Sequence, residues 1–348
     1  MRTLELAVNL YRHYGEVEEI CHYYGELAQY ALAQAAYEAR DERLLADCRG
    51  LLSLYPNQID HPHYNFECYR IGGNASAWAD LEGILCRPAE IRFYAEQTMR
   101  GDKDANGVLC MPGCSADGPI WIDTAAAVTP FTLFAGLSLA REDMINFAAA
   151  QCFGLVEALM DESCGLLHQC RGFIESDRRK CSEDHWSRGN GWGYMALAEL
   201  VRYLPADSPH RSKAERIFTD LSLAFLRWQA SGGLWRQELT SQAAWEESSG
   251  SALILYGLGV GLRTGLLDRG LFWKPYQNGL AGLLRCINPD YSTENSCPGC
   301  LCPGDGTIQA YITEKQPEHD EHHSFGAFML ALVEAHRNGF TDSEWRSL

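Results

Sequence analysis

Basic residues are scarce and unclustered: 29 Lys and Arg stand against 46 Asp and Glu in 348 residues, a formal charge of −17. Nucleic acid and anionic membrane surfaces both require bunched Lys and Arg, so neither is expected as a partner. Long apolar runs are missing as well, and without a run of about 18 such residues no helix can span a bilayer. The opening Met1-Arg2-Thr3-Leu4-Glu5 lacks the charged-then-apolar plan of a secretory signal, which makes a cytoplasmic location the expectation. No Pro/Ser-rich or low-complexity stretch divides the chain, so its 46% apolar residues are read as one domain over 1–348. Strand signals are few and short, in 234–239 and 307–312.

Cysteine, in contrast, is plentiful. The fourteen thiols are scattered through helical stretches of a long chain, which suits buried reduced groups better than a disulfide framework. Two clusters, Cys110/Cys114 and Cys297/Cys300/Cys302, have spacings that would suit zinc. Their ligand count is odd and their Pro-Gly pairs equally mark tight turns, so neither a metal nor a cofactor is expected.

What the sequence has most of is decorated helix starts. His185-Trp186-Ser187-Arg188-Gly189-Asn190-Gly191-Trp192 crowds two indoles, a guanidinium and an imidazole onto a Gly-rich segment ahead of a helical run from Gly193 to Tyr203. Trp121-Ile122-Asp123-Thr124, Glu246-Glu247-Ser248-Ser249 and Glu321-His322-His323 likewise open small-residue, apolar helices. Gly107, Gly165, Gly233 and Gly306 precede these four openings at intervals of 58, 68 and 73 residues, each in a polar turn where positive φ is cheap. An imperfect period of that size fits a repeated helical hairpin with its loops. The expectation is an all-α fold, a closed ring of such hairpins.

Elsewhere, helices are expected over 4–14, 16–40 (interrupted at Tyr23-Tyr24-Gly25), 41–54, 75–85, 87–100, 142–160, 214–229 and 272–286. Glu67 and Arg70 sit among aromatics before Gly72-Gly73, either as a further functional opening or as a surface ion pair. Asp123 reads as an N-cap or, given Trp121 beside it, as a functional acid. His168 reads as a structural histidine or a ligand-binding one.

Indoles, carboxylates, Arg and His at one rim suit a carbohydrate. Aromatic faces stack on sugar rings, carboxylates move protons, and a guanidinium cradles a uronate carboxylate. Trp-Ser-Arg-Gly-Asn-Gly-Trp (186–192), Trp121-x-Asp123, Gly-Leu-Leu-His168 and Glu-Ser-Ser-x-Ser-Ala (247–252) together resemble the unsaturated glucuronyl and rhamnogalacturonyl hydrolases of glycoside hydrolase families 88 and 105, over roughly residues 60 to 335. The resemblance implies an (α/α)6 barrel with short β-hairpin-like loops. It also implies a small oligosaccharide substrate, left by pectin or glycosaminoglycan lyases, with a terminal 4,5-unsaturated uronate that is removed by hydration of its vinyl ether. Carried onto this chain, it makes Asp123 the acid and water activator and Glu67 the second carboxylate, where the family has Asp. It makes Trp121, His168, Trp186, Arg188 and Trp192 substrate-binding, and His322 joins them as part of the last decorated opening. Cys110 to Pro112 stand where the family tends to have a histidine. A saturated glucuronidase or an epimerase using His322-His323 on the same barrel, and a non-catalytic sugar-binding barrel, remain the alternatives; oligomeric state is unspecified.

Overall fold

The computed structural model describes residues 3–17, 23–53, 71–114, 118–174, 177–300 and 306–340. Among them run thirteen helices: α1 (Thr3–Val17), α2 (Tyr23–Ala39), α3 (Glu42–Leu52), α4 (Ile71–Leu81), α5 (Pro88–Met99), α6 (Asp123–Ser138), α7 (Glu142–Leu159), α8 (Ser187–Tyr203), α9 (Arg211–Trp228), α10 (Ser248–Thr264), α11 (Arg269–Leu284), α12 (Ile308–Glu314) and α13 (His323–Arg337). Six of them close a ring. α2 packs on α4, α4 on α6, α6 on α8, α8 on α10, α10 on α13, and α13 returns to α2. α1, α3, α5, α7, α9 and α11 lean on members of that ring, α9 on α8 and α11 on α10 for instance. This is an (α/α)6 barrel, as expected.

Composition sorts the two layers. An inner helix touches neighbours on every side, and α8 is buried without a break from Ser187 to Val201, as α10 is from Ser248 to Leu262. The outer α9 buries a stripe that includes Ala214, Ile217, Phe218, Leu221 and Phe225 and leaves the rest to water. Among the described residues no helix is long and apolar enough to cross a membrane.

Three ladders of two residues per strand fasten the loops over the helix starts. β1 (Ile120–Trp121) pairs antiparallel with β4 (Cys170–Arg171), β2 (Met160–Asp161) with β3 (Leu166–Leu167), and β5 (Trp235–Arg236) with β6 (Glu246–Glu247). β1 and β6 run almost directly into α6 and α10. At the opposite end of the ring, buried Glu199 accepts from Tyr30 at 3.0 Å, and buried Glu334 is held by Arg263 and Arg337 at 2.9 and 3.1 Å.

Several expectations need correction. The Trp-Ser-Arg-Gly-Asn-Gly-Trp run is not a turn ahead of its helix, because α8 begins at Ser187. Its glycines serve close approach: a Cβ on Gly189 would sit 3.1 Å from Ile122, one on Gly191 2.8 Å from Leu253, and one on Gly193 2.7 Å from Leu167. Tyr23-Tyr24-Gly25 opens α2 instead of interrupting a helix. The strand expected over 307–312 is α12, whose start is capped by Thr307 Oγ1 accepting from the Ala310 N–H at 3.1 Å. Of the four repeat glycines, Gly107, Gly165 and Gly233 adopt positive φ, but Gly306 does not. Gly306 is needed for space, since a Cβ there would lie 2.8 Å from Asp184 Oδ1.

Candidate active site

The starts of α2, α6, α8, α10 and α13 meet at one end of the ring. α8 is the hub. Trp186 is its N-cap residue, and Ser187 Oγ donates to Glu247 Oε2 at 2.8 Å. Glu247 caps α10 by accepting from the N–H groups of Ser249 and Gly250 at 2.8 and 2.6 Å, and it also takes the Cys297 N–H at 3.1 Å. A buried carboxylate bonded this fully is a structural fastening between two helix starts.

Arg188, 1% exposed, is aimed by this fastening. One terminal nitrogen donates to Ser249 Oγ at 2.9 Å and to the Cys297 carbonyl at 2.6 Å, and lies 3.7 Å from Glu321 Oε2. The guanidinium stacks 4.7 Å above the Trp186 ring. Its Nε and second terminal nitrogen are buried with no hydrogen-bond partner among the described residues. Burial disfavours the charge, yet Glu321 and its neighbours hold it firmly protonated.

Glu321 joins α13 to α8. Burial would raise its carboxyl, but His323 and Arg188 outweigh that and hold it at about 2. His323 is buried and neutral, pushed down to about 4 by burial and by the Arg188 charge, although Glu321 pulls the other way. Its Nδ1 meets Glu321 at 2.6 Å and its Nε2 meets the Tyr23 hydroxyl at the start of α2. A neutral imidazole satisfies both by donating to the carboxylate and accepting from the phenol. His322 is half-buried, with its ring 3.9 Å from that of Tyr24 in a stacked arrangement.

Asp123 stands in the first turn of α6, partly buried; Ile122, not Asp123, is the N-cap residue. Trp121 is buried in the ladder opposite Cys170 and meets Phe173 edge-on at 5.9 Å. Two links carry this corner to Arg188. Ile122 fills the space beside Gly189, the residue after Arg188. The Ile122 N–H also donates to the Gln169 carbonyl at 2.9 Å, Gln169 Oε1 accepts from the Tyr311 hydroxyl at 2.7 Å, and the Tyr311 ring stacks 6.2 Å from Trp186. The acid and the guanidinium are thus carried by abutting helix starts.

His168 lies just before Gln169, half-buried, its ring 4.8 Å from that of His185, and burial together with the His185 charge lowers its pKa. His185 is itself raised to about 10. Burial opposes its charge, but Cys164 and Glu238 beside it retain the proton. Trp192 lies one turn along α8 from Arg188 and is packed into the main apolar core, 2% exposed. Glu67 and Arg70 lie outside the described residues, as do His22 and Cys302.

The model of Glycosyl Hydrolase Family 88 matches residues 96–339. The chain belongs to this family. An unsaturated 3S-rhamnoglycuronyl hydrolase of Formosa agariphila is 36% identical over 107 residues, 30% of this chain and 28% of that protein, so the match spans under a third of the relative. A family 105 glycoside hydrolase from C. acetobutylicum ATCC 824 has the same fold, with a TM-score of 0.81 over 97% of this chain and 99% of that one at 20% identity. The unsaturated glucuronyl hydrolase of Bacillus sp. GL1, responsible for glycosaminoglycan degradation, gives a TM-score of 0.63 over 92% and 87% at 16% identity.

Glu321, His323, Tyr23, Ser249 and Tyr311 join this candidate site, at which the linear pattern only hinted. Glu321 and His323 belonged to a noticed helix opening, but their partners are up to 300 residues away.

Proposed function

We propose that the chain is a glycoside hydrolase that removes a 4,5-unsaturated uronic acid from the non-reducing end of lyase-generated oligosaccharides, with residues 1–348 acting as one catalytic domain. The observation that carries this reading is the pair of buried guanidinium nitrogens of Arg188 that have no hydrogen-bond partner among the described residues, beside the helix start that bears Asp123. A planar fork with open donors suits a carboxylate, and the convergent helix N-termini add a positive field for the same anion.

In the proposed reaction the Asp123 carboxylic acid gives its proton to C4 of the double bond, leaving positive charge shared by C5 and the ring oxygen. Water then adds at C5 and returns a proton to the Asp123 carboxylate. The hemiketal so formed opens and releases the neighbouring sugar. Arg188 holds the uronate carboxylate, Trp121, Trp186 and His322 flank the sugars, His168 binds from the β3–β4 side, and Trp192 supports the rim from the core. Glu67 is proposed as the second carboxylate. Both ring nitrogens of His323 are already hydrogen-bonded, which weighs against an epimerase that would use His322 and His323 as a proton-transferring pair. Pectin, rhamnogalacturonan or glycosaminoglycan fragments in the cytoplasm are the proposed source of substrate.

The test is Asp123→Asn. The variant should fold normally and lose the decay of double-bond absorbance on lyase-digested polysaccharides by at least about a hundredfold, the span of a general acid. Turnover at the wild-type rate, or equal action of the wild type on saturated substrates, overturns the proposal.

A further inference from the structure

We propose that Asp161, Cys164 and His185 form a site for a thiophilic divalent cation, zinc by its choice of donors, distinct from the cysteine clusters at 110–114 and 297–302. One carboxylate oxygen, one thiol sulfur and one imidazole nitrogen lie within 4.8 Å of one another. Asp161 and Cys164 stand three residues apart in the turn that joins β2 to β3, the spacing with which a Cys-x2-Cys loop grips zinc.

The turn is built to present them. The Cys164 and Gly165 N–H groups donate to the Asp161 carbonyl at 3.3 and 2.8 Å. The Ser163 N–H occupies Asp161 Oδ1 at 2.9 Å, which leaves Oδ2 facing His185 Nε2 at 3.0 Å. The Cys164 carbonyl is tied down by Arg227 and by the Trp228 indole N–H at 3.3 and 3.4 Å. Cys164 is a free thiol.

His185 arrives on a pinned backbone, its N–H donating to Glu238 Oε1 at 3.0 Å and its carbonyl accepting from Leu239 at 3.2 Å. The same buried Glu238 lies 3.5 Å from His185 Nδ1. That contact is not a hydrogen bond among the described residues, but a small rotation of the ring would make it one, and a carboxylate behind one imidazole nitrogen orients a metal-binding histidine. The ion would displace the proton that His185 holds in its absence, and thiolate and carboxylate together neutralise a divalent charge.

Tetrahedral zinc with bonds of about 2.0 to 2.3 Å needs donors about 3.3 to 3.7 Å apart. The widest pair must therefore close by about 1 Å, within reach of side-chain rotation in a turn. The fourth position falls to water, with the His168 ring standing 4.8 Å from that of His185. Glu321, His322 and His323 also gather three donors, but the Arg188 guanidinium 3.7 Å from Glu321 repels a cation there. Bound zinc would stitch the β2–β3 turn to the segment entering α8 and so steady His168.

The experiment uses the whole protein, stripped with a chelator and titrated with cobalt(II). One equivalent should bind with a thiolate-to-cobalt charge-transfer band and the visible bands of a tetrahedral site, all displaced by one equivalent of zinc. Cys164→Ser should abolish the charge-transfer band, and Cys300→Ser should leave it intact. Asp161→Asn, a milder change, should weaken zinc affinity by at least about tenfold. No band in the wild type, a band that survives Cys164→Ser, a band lost in Cys300→Ser, or unchanged affinity in Asp161→Asn each overturns the proposal. None of these readouts involves hydrolysis, so they stand apart from the fate of the proposed activity.

Discussion

Replacing Arg188 separates what holds the rim together from what holds the substrate. The guanidinium is buried 3.7 Å from an ionised, buried Glu321, so Arg188→Ala strands a carboxylate in the protein interior. Removing one partner of a buried pair costs about 3–5 kcal/mol. His323, which still donates to Glu321 at 2.6 Å, keeps the loss near the lower end. The two open nitrogens, if they grip a uronate carboxylate, add charge-assisted hydrogen bonds worth about 1.5–3 kcal/mol, or about a 10- to 150-fold fall in kcat/KM. The double variant Arg188→Met with Glu321→Gln removes both charges at similar volume. It should recover most of the stability, because a buried pair exchanged whole for matched groups is often neutral, yet it should recover none of the kcat/KM. Denaturant midpoints and the decay of double-bond absorbance read the two effects independently. Recovery of both quantities in the double variant would reduce Arg188 to a structural role, and full stability in Arg188→Ala would refute the ion-pair argument.

Asp184 is buried, and burial lifts its carboxyl to about 7, above the roughly 3.9 of an unfolded chain. Between those values the folded chain keeps a proton that the unfolded chain has released, so stability falls as pH rises through the window. Asp184→Asn removes that fall: its stability relative to wild type should grow by up to about 4 kcal/mol between about pH 4 and pH 7, and a difference independent of pH refutes the reasoning. Gly250→Ala puts a Cβ 2.5 Å from the Arg188 backbone nitrogen, so α8 and α10 must part, at about 1–3 kcal/mol in unfolding free energy; Gly50→Ala, with nothing within 4 Å, should be neutral or slightly stabilising. Equal midpoints for these two glycine variants contradict the close-packing account of the inner ring. Trp192→Phe should lower the thermal midpoint more than Trp186→Phe and raise KM less, since Trp192 is packed in the core; the reverse order in both measurements defeats this.

The sequence announced the ring through its repeated openings, because an inner helix that touches neighbours on all sides must be small and apolar throughout, leaving polar residues only at its ends. It misstated where α8 begins for a physical reason. Gly189, Gly191 and Gly193 each disfavour a helix by about 1 kcal/mol when judged locally, and only the backs of Ile122, Leu253 and Leu167, brought in by other segments, repay it. The strand expected over 307–312 failed in the same way, since the capping geometry of Thr307 outweighed a β-branched stretch. The openings that hold Arg188, Glu321 and His323 were noticed, but nothing local said that Tyr23 would meet His323 or Glu321 would meet Arg188: α2 meets α13 only because the ring closes on itself.

That closure also bears on how a chain of charge −17 would hold the proposed uronate at one spot. Surface carboxylates are screened over about 8 Å at physiological ionic strength, so their joint field fades before it reaches a recessed rim. Inside the rim, the helix starts of α2, α6 and α8 each add about half a positive charge, those of α10 and α13 are offset by the Glu247 and Glu321 carboxylates bonded to their N–H groups, and Arg188 adds a full charge. Glu247 and Glu321 spend their negative charge on helix caps and on His323 and Arg188, so the nearest carboxylates are already committed. The C-terminal ends of α8 and α13 carry Arg202 and Arg337, which complement the other pole of the dipoles and leave the N-terminal pole as the place where an incoming carboxylate gains most. The direction in which the hairpins wind, more than the count of acidic residues, decides which ligand this end of the barrel can accept.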